Sequence, residues 1–266
     1  MDLPLNTFKR AILAGQPQLG LWVALATANC AELCAAAGFD WLLLDAEHGL
    51  NDVLTISSQL QAVAPYQTHA IVRPPHSDAA LIKRYLDVGA QTLLIPMVDT
   101  AEQASALVAA TRFAPLGMRG IATMTRAARW TRVPDYLKRA HEEICLIPQI
   151  ETVKGLENLE SIAAVAGVDA LFIGPADLSA SMGYIGQAGH PDVVAEVERA
   201  IARIRAAGKP AGILTVDEKL ARRYLELGCA FVAVGVDAIL LAKAVDALHA
   251  RFAGEVPNSS PASSTY

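Results

Sequence analysis

AELCAAAGFDWLLLDA, residues 31–46, joins a helix-like segment to a short apolar run through a glycine. Gly38 stands where a helix should stop, because a glycine just past the last turn adopts a left-handed conformation without a Cβ clash. The apolar run that follows is continuous rather than alternating, which is typical of a parallel strand covered on both faces. The stretch therefore predicts one helix followed by one buried parallel strand.

The same unit recurs along the chain. Helix-like segments also end at Gly89, Gly167 and Gly228, and eight apolar runs follow the same rhythm: GLWVAL (20–25), WLLLDA (41–46), AIVRP (70–74), TLLIPMV (92–98), CLIPQIE (145–151), ALFIGPAD (170–177), AGILTV (211–216) and FVAVGVD (231–237). Eight strand–helix units in one chain of this length predict an α/β fold of the (β/α)8 TIM-barrel type, which fills about 250 residues as a single domain.

The ends of the chain fall outside this rhythm. Residues 3–15 predict an extra N-terminal helix, and residues 1–254 are expected to form a single barrel domain. Residues 255–266 are polar and rich in serine and proline, which favours a disordered tail.

Composition excludes several classes of function. Hydrophobic residues make up 53% of the chain, yet no uninterrupted apolar run approaches the ~18 residues that a membrane span needs. The net charge is −5 and no basic stripe is visible, so we expect neither a nucleic-acid nor a membrane partner. The first residues do not resemble a secretory signal, and the four cysteines form no CxxC pair. We therefore expect a cytoplasmic protein with buried, reduced thiols.

Polar residues gather where the predicted strands end. In a barrel, the chemistry lies at the carboxyl ends of the strands. The residues found there are Asp45, Glu47 and His48 after the second strand, Arg73 after the third, Gln149 and Glu151 after the fifth, and Asp177 after the sixth. This asymmetry predicts an active site at one end of the barrel.

Glu151 and Asp177 are the candidate metal ligands. They follow neighbouring strands, about 5 Å apart, and two carboxylates at that separation repel each other unless a positive charge lies between them. Mg²⁺ or Mn²⁺ fits such a pair, with water and substrate completing the coordination. The alternative is that a lysine or arginine pairs with one of the two carboxylates.

Arg73 and His48 are the candidate catalytic side chains. A guanidinium at a strand end can bind a carboxylate through two hydrogen bonds, although it could instead form a salt bridge to Glu47 or Glu151. His48 suits general acid–base work because its ordinary pKa lies near neutrality. No lysine lies inside a predicted strand, which disfavours Schiff-base chemistry.

Five segments together resemble the metal-dependent pyruvate aldolases of the HpcH/HpaI family. They are DAEHG (45–49), RPP (73–75), IPMVDT (95–100), QIET (149–152) and IGPADLS (173–179). The resemblance implies reversible cleavage of 4-hydroxy-2-oxo acids to pyruvate and an aldehyde, with Mg²⁺, Mn²⁺ or Co²⁺ as cofactor. It also implies a homohexamer in which a C-terminal helix, here residues 238–252, is exchanged between subunits; packing of that helix on its own barrel is the alternative.

The resemblance also implies roles for individual residues. Glu151 and Asp177 match the metal ligands, Gln149 and Ala176 match positions that contact pyruvate, and Arg73 matches the residue that stabilises the enolate.

His48 matches the family's base, and Asp87 matches an aspartate that raises the basicity of that histidine. Asp87 is predicted near the end of a helix on the far side of the barrel, so it could help only across a subunit contact or through a distorted helix. Asp45, three residues before His48, is the alternative that the residues themselves suggest.

The part of the pocket that takes the aldehyde is less well defined by the sequence. Trp22 and Leu214 are expected to shape it, and arginines at positions 119–132, above all Arg126, are expected to meet a distal carboxylate. Three other functions remain open: a 2-keto-3-deoxyglucarate-type aldolase, a lyase acting on a coenzyme A thioester, and a non-catalytic scaffold. The acidic balance of the chain counts against the thioester.

Overall fold

Eight short parallel strands pair in sequence order, and the last pairs with the first, so the sheet closes into a barrel. This computed structural model describes residues 1–253. The strands are β1 (Gln18–Val23), β2 (Trp41–Asp45), β3 (His69–Arg73), β4 (Thr92–Ile95), β5 (Cys145–Ile150), β6 (Leu171–Ile173), β7 (Ala211–Leu214) and β8 (Phe231–Val236). Each strand coincides with one of the eight predicted runs, which confirms the predicted barrel. The tail predicted over residues 255–266 lies outside the described residues.

Twelve α-helices and one 3₁₀ helix are found in the described part of the chain. The α-helices are α1 (Thr7–Leu13), α2 (Ala28–Ala36), α3 (Val53–Val63), α4 (Ala79–Asp87), α5 (Ala101–Thr111), α6 (Tyr136–Arg139), α7 (Val153–Glu157), α8 (Leu159–Ala163), α9 (Pro175–Ser181), α10 (Pro191–Ala206), α11 (Glu218–Glu226) and α12 (Asp237–Phe252), and the 3₁₀ helix is Ala140–Glu143. Several begin at a polar capping residue; Asp52, for example, accepts hydrogen bonds from the first turn of α3. No helix within residues 1–253 has the length and apolar character needed to cross a membrane.

Side chains fill the interior of the barrel. The inward-facing cluster includes Trp22, Trp41, Phe172 and Phe231, all at most 4% exposed. Gly20 makes this packing possible, because a Cβ at that position would lie 2.1 Å from the Trp41 ring. A filled barrel leaves room for polar chemistry only at its ends.

Helix α1 closes the amino-terminal end of the barrel, referred to here as the floor. Phe8 and Ile12 of this helix belong to the interior cluster. The Asn6 side chain donates a hydrogen bond to Thr92 Oγ1 at 2.9 Å, and the Asn6 backbone N–H donates to Glu143 at 2.7 Å. The N-terminal helix predicted over residues 3–15 corresponds to this shorter helix.

Helix α12 packs little against its own barrel. Asp237 is its one buried residue. An apolar stripe of Leu241, Val245, Leu248 and Phe252 is about half exposed. Packing on its own barrel therefore does not cover the apolar face of this helix.

The four cysteines are free thiols in the described structure. Three are buried as predicted, whereas Cys30 is only partly buried. Burial raises the pKa of both Cys30 and Cys229 to about 12, so neither is a reactive thiolate near neutral pH.

Candidate active site

Arg73, the last residue of β3, is the hub of the carboxyl-terminal end of the barrel, referred to here as the mouth. Its Nε and Nη2 atoms donate to the two carboxylate oxygens of Asp45, at 3.0 and 2.7 Å. Its Nη1 atom lies 2.8 Å from Glu47 Oε2. The guanidinium carbon stands 4.8 Å from the centre of the Trp22 ring. These contacts fix a buried positive charge in one orientation. The predicted salt bridge to Glu47 is present.

Asp45 serves as the anchor of Arg73. One carboxylate oxygen also accepts the Trp22 indole N–H at 3.1 Å, and the other accepts the backbone N–H groups of Glu47 and His48. Burial alone would raise the pKa of Asp45, but the Arg73 guanidinium outweighs it and the pKa is lowered. The contacts of Asp45 with His48 reach only its backbone. The Asp45 carboxylate therefore holds the Arg73 side chain and makes no described contact with the imidazole ring.

Glu151 follows β5 directly and is 2% exposed. Its Oε1 accepts the backbone N–H of Met97 at 2.7 Å, and its Oε2 accepts a hydrogen bond from the Gln149 side chain. Burial raises the pKa of Glu151 to about 7, and the neighbouring Asp177 and Glu47 carboxylates add to the rise. A cation beside the buried Glu151 carboxylate would stabilise its ionised form.

Asp177 lies in the first turn of α9, not on a strand. The predicted run over residues 170–177 is too long for a strand, because β6 ends at Ile173 and Pro175 starts a helix. Asp177 and Ala176 are both exposed at the mouth. Asp177 is close enough to Glu151 to contribute to the rise in its pKa, so the two predicted ligands are neighbours. Their joint binding of a metal stays a prediction.

The donor set at this site fits a hard divalent cation. Gln149 Oε1 is a buried oxygen without a hydrogen-bond partner. At Gly174 a Cβ would lie 2.6 Å from Glu151 Oε2, so only glycine leaves that oxygen its space. Oxygen atoms with no nitrogen or sulfur are what Mg²⁺ and Mn²⁺ prefer. No group of three or more histidine, cysteine, aspartate or glutamate side chains suited to a metal occurs within residues 1–253.

His48 lies in the loop after β2 with a side chain that is 69% exposed. Its Nε2 stands 3.9 Å from Glu47 Oε2. The imidazole is therefore open to substrate at the mouth, and within the described chain no aspartate carboxylate orients it.

Asp87 does not reach His48 within one chain. It ends α4, near the floor, and its carboxylate pairs with Arg119 at 2.7 Å. The two side chains belong to opposite ends of the barrel, so an effect of Asp87 on His48 stays a prediction that needs a second subunit.

The arginines of the long connection between α5 and α6, residues 112–135, also lie near the floor. Arg126 donates to the carbonyl oxygens of Val88 and Leu60, at 2.9 and 3.3 Å. With Arg119 and Arg129 it lines a cavity of about 630 Å³ that also contacts His69 at the start of β3. These arginines lie away from the mouth of their own barrel, because the connection folds back toward the amino ends of the strands. Their predicted contact with the distal carboxylate stays a prediction.

Trp22 and Leu214 lie near the mouth at the top of the barrel interior. Trp22 is buried beneath the Arg73 guanidinium, and Leu214 is half-buried at the end of β7. Their predicted contacts with substrate stay predictions. The sequence analysis missed Met97 and Gly174 as site residues. A glycine directly after a strand end was the available signal for Gly174, whereas nothing in the local pattern distinguishes Met97.

A closed parallel barrel with its ionisable side chains gathered at the strand carboxyl ends defines a TIM-barrel enzyme. Residues 18–244 match the protein family described as HpcH/HpaI aldolase/citrate lyase. The chain belongs to this family. It is accordingly an aldolase, a lyase that acts on carbon–carbon bonds, which confirms the predicted family and the predicted aldolase activity.

Individual relatives cover nearly the whole chain. A hydroxypyruvate/pyruvate aldolase of Pseudomonas aeruginosa is 58% identical over 100% of both chains. A 4-hydroxy-2-oxo-heptane-1,7-dioate aldolase of Salmonella paratyphi A is 56% identical over 98% of this chain and 99% of the relative. The crystal structure of an HpcH/HpaI aldolase/citrate lyase family protein from Burkholderia cenocepacia J2315 superposes with a TM-score of 0.89. It is 39% identical and covers 92% of this chain and 98% of that one.

Proposed function

We propose that this aldolase reversibly cleaves 4-hydroxy-2-oxo acids into pyruvate and an aldehyde, using a divalent cation held by Glu151 and Asp177. The observation that carries the proposal is the arrangement of the mouth. There the fixed guanidinium of Arg73 lies near the buried carboxylate of Glu151, whose ionised form a cation would stabilise. Both would act on the same developing negative charge.

The carboxylate and keto groups of the substrate bind beside Arg73. Two of the five guanidinium N–H groups donate to Asp45, and Nη1 is ion-paired with Glu47 without a hydrogen bond, so N–H groups remain for a substrate oxygen. The Gln149 side chain and the backbone N–H of Ala176 orient the carboxylate. A cation held by Glu151 and Asp177, either Mg²⁺, Mn²⁺ or Co²⁺, would supply Lewis-acid polarisation of the bound keto acid.

His48 starts the cleavage by removing the proton of the C4 hydroxyl group. The C3–C4 bond breaks, its electron pair passes into the pyruvate enolate, and the aldehyde leaves. Arg73 stabilises the negative charge on the enolate oxygen, and a proton delivered to C3 completes pyruvate.

We also propose that the catalytic unit is completed by a second copy of the chain. Within residues 1–253 the His48 ring has only Glu47 near it, at 3.9 Å, and Asp87 and Arg126 lie at the far end of the barrel. A neighbouring subunit in a homohexamer could bring that end to the mouth, and exchange of α12 would cover its apolar stripe. In this proposal Asp87 raises the basicity of the partner's histidine, and the arginines meet a distal carboxylate.

Two donors are favoured by different relatives. The similarity to a 4-hydroxy-2-oxo-heptane-1,7-dioate aldolase favours pyruvate with an aldehyde that carries a carboxylate, succinic semialdehyde. Two relatives, 58 and 60% identical, are named hydroxypyruvate/pyruvate aldolases, which favours hydroxypyruvate as a second donor. The reaction uses small soluble metabolites, consistent with a cytoplasmic enzyme.

A panel of aldols tests the proposal. The protein is stripped of metal by chelation, single divalent ions are restored, and release of pyruvate or hydroxypyruvate is measured for each aldol. We expect release only after a divalent ion is restored. Release of neither acid from any aldol, with any ion, would contradict the proposal.

A further inference from the structure

Met97 stands in an unusual backbone conformation beside the proposed cation site. It is the second residue after β4, its φ angle is +56°, and its side chain is 52% exposed. Residues other than glycine adopt a left-handed backbone infrequently, and a side chain that points into solvent offers no compensation. The surrounding contacts must therefore hold this conformation in place.

Contacts on both sides of Met97 fix the loop that contains it. Strand β4 fixes the chain before it. After it, the Val98 N–H donates to the Gln149 carbonyl at 3.3 Å, and the Asp99 carbonyl accepts the Asn158 side chain at 2.9 Å. Thr152 also donates to the Asp99 carboxylate. The loop is thus fastened at several points to the residues that follow β5.

Two successive backbone N–H groups point at the end of β5 as a result. The Met97 N–H meets Glu151 Oε1 at 2.7 Å, and the Val98 N–H meets the neighbouring Gln149 carbonyl. A residue in a left-handed conformation next to one in an ordinary conformation is a known way to turn successive N–H groups toward the same side. The conformation of Met97, not its side chain, is therefore what the site uses.

We propose that the left-handed turn at Met97 positions Glu151 for the cation. The N–H group holds Oε1, which fixes the plane of the carboxylate and with it the place of Oε2 beside Gly174. Met97 is a positioning residue in this account. The inference rests on the proposed function, since it presumes that Glu151 binds a divalent ion.

Substitutions at position 97 separate the backbone from the side chain. Valine is β-branched and resists a left-handed conformation, whereas glycine and asparagine accept it. We expect Met97→Val to weaken Mn²⁺ binding by about 10- to 100-fold, the usual effect of losing a partner of a metal ligand. Met97→Gly and Met97→Asn should bind within about threefold of the wild type, although both remove the apolar side chain. The Mn²⁺ affinity of Met97→Ala should lie between these limits. This variant replaces Met97→Val in the test if the valine variant does not fold.

Mn²⁺ affinity is measured by electron paramagnetic resonance on the chelator-treated full chain, with thermal unfolding as the check on folding. Met124→Val, at a methionine that is 82% exposed and far along the chain, is the matched control and should bind as the wild type does. A folded Met97→Val variant with wild-type affinity would overturn this inference alone. Equal losses in the glycine, asparagine and valine variants would also overturn it. A wild-type chain that binds no Mn²⁺ would overturn the proposed function and this inference with it.

Discussion

At the residue scale, the mouth is organised around one guanidinium. Arg73 is 6% exposed and is held by Asp45 and Glu47. Its cost of burial is offset by these carboxylates, and its position is set before substrate arrives. Preorganised charge of this kind lowers the barrier to forming an anion because nothing needs to rearrange during the reaction.

Replacing Arg73 with alanine should lower kcat by about 10²–10³, since the enolate loses its second positive charge. Both aldol cleavage and exchange of the pyruvate C3 protons should fall, because both pass through the same enolate. Proton exchange followed by NMR measures the effect. Arg199→Ala, which removes an exposed arginine on α10, is the control. Normal exchange in Arg73→Ala would contradict the role given to this residue.

Replacing His48 with alanine should lower kcat for cleavage while leaving Mn²⁺ affinity unchanged. The imidazole is 69% exposed and contacts neither Glu151 nor Asp177 in the described structure, so its loss should not disturb the cation. Steady-state kinetics and Mn²⁺ titration on one preparation test both parts. Loss of Mn²⁺ binding would mean that His48 is a ligand and not a base.

The positions of these residues at the mouth were predictable from the sequence, whereas their side-chain contacts were less so. The strand ends placed Arg73, Glu151 and His48 at the mouth, because the strand pattern fixes which end of the barrel a residue occupies. The partner of Asp45 depends on side-chain directions across β2 and β3, which the strand pattern does not encode. The role of Met97 depends on a backbone angle set by contacts with residues more than 50 positions away.

At the element scale, the eight strands were predictable, whereas the segments between them were less so. A buried parallel strand has a continuous apolar run, but a run of the same kind can continue into a helix. That is why residues 170–177 contain both the three-residue β6 and the first turn of α9. The path of the long connection after α5 is determined by contacts such as that of Arg126 with the Val88 carbonyl. The local sequence pattern does not predict such contacts, because the two residues are distant in the chain.

His69, which packs against α1 at the floor of the barrel, should make the stability of the protein depend on pH. His69 starts β3, its ring stacks on Phe8, and its Nε2 lies 2.8 Å from Thr92 Oγ1. Burial lowers the pKa of His69 to about 4, below its ordinary value of 6.5. Below pH 6.5 the unfolded chain binds a proton at this residue that the folded chain does not, so stability is lost as the pH falls from 6.5 toward 4.

The size of this loss follows from the shift in pKa. It amounts to about 3 kcal/mol of unfolding free energy, as an upper estimate over the whole window. Urea unfolding of the wild type and of His69→Gln at pH 7 and pH 4.5 measures it. The variant should lose less stability between these two conditions. His76→Gln, at an exposed histidine, should retain the wild-type dependence. Equal losses in wild type and His69→Gln would contradict the assignment.

At the scale of the whole molecule, we expect the exposed apolar stripe on α12 to be covered by another subunit. Leu241, Val245, Leu248 and Phe252 lie on one face and are about half exposed, a pattern typical of an interface between subunits. Leu241→Glu combined with Leu248→Glu should reduce the mass in analytical ultracentrifugation from that of the hexamer proposed above to that of a smaller species. Lys243→Glu, on the opposite face, should leave the mass unchanged. A double variant with unaltered mass would mean that this helix does not hold the assembly together.

The proposed cleavage reaction requires a divalent cation at the mouth of the barrel. The most direct measurement is a Mn²⁺ titration of metal-free protein in which bound ion and exchange of the pyruvate C3 protons are followed together. We expect one ion per chain and exchange that rises with occupancy, with both lost in Glu151→Gln and Asp177→Asn but kept in Glu142→Gln, at an exposed glutamate. Exchange that continues at the wild-type rate after exhaustive chelation, or that survives in the Glu151→Gln variant, would contradict the account.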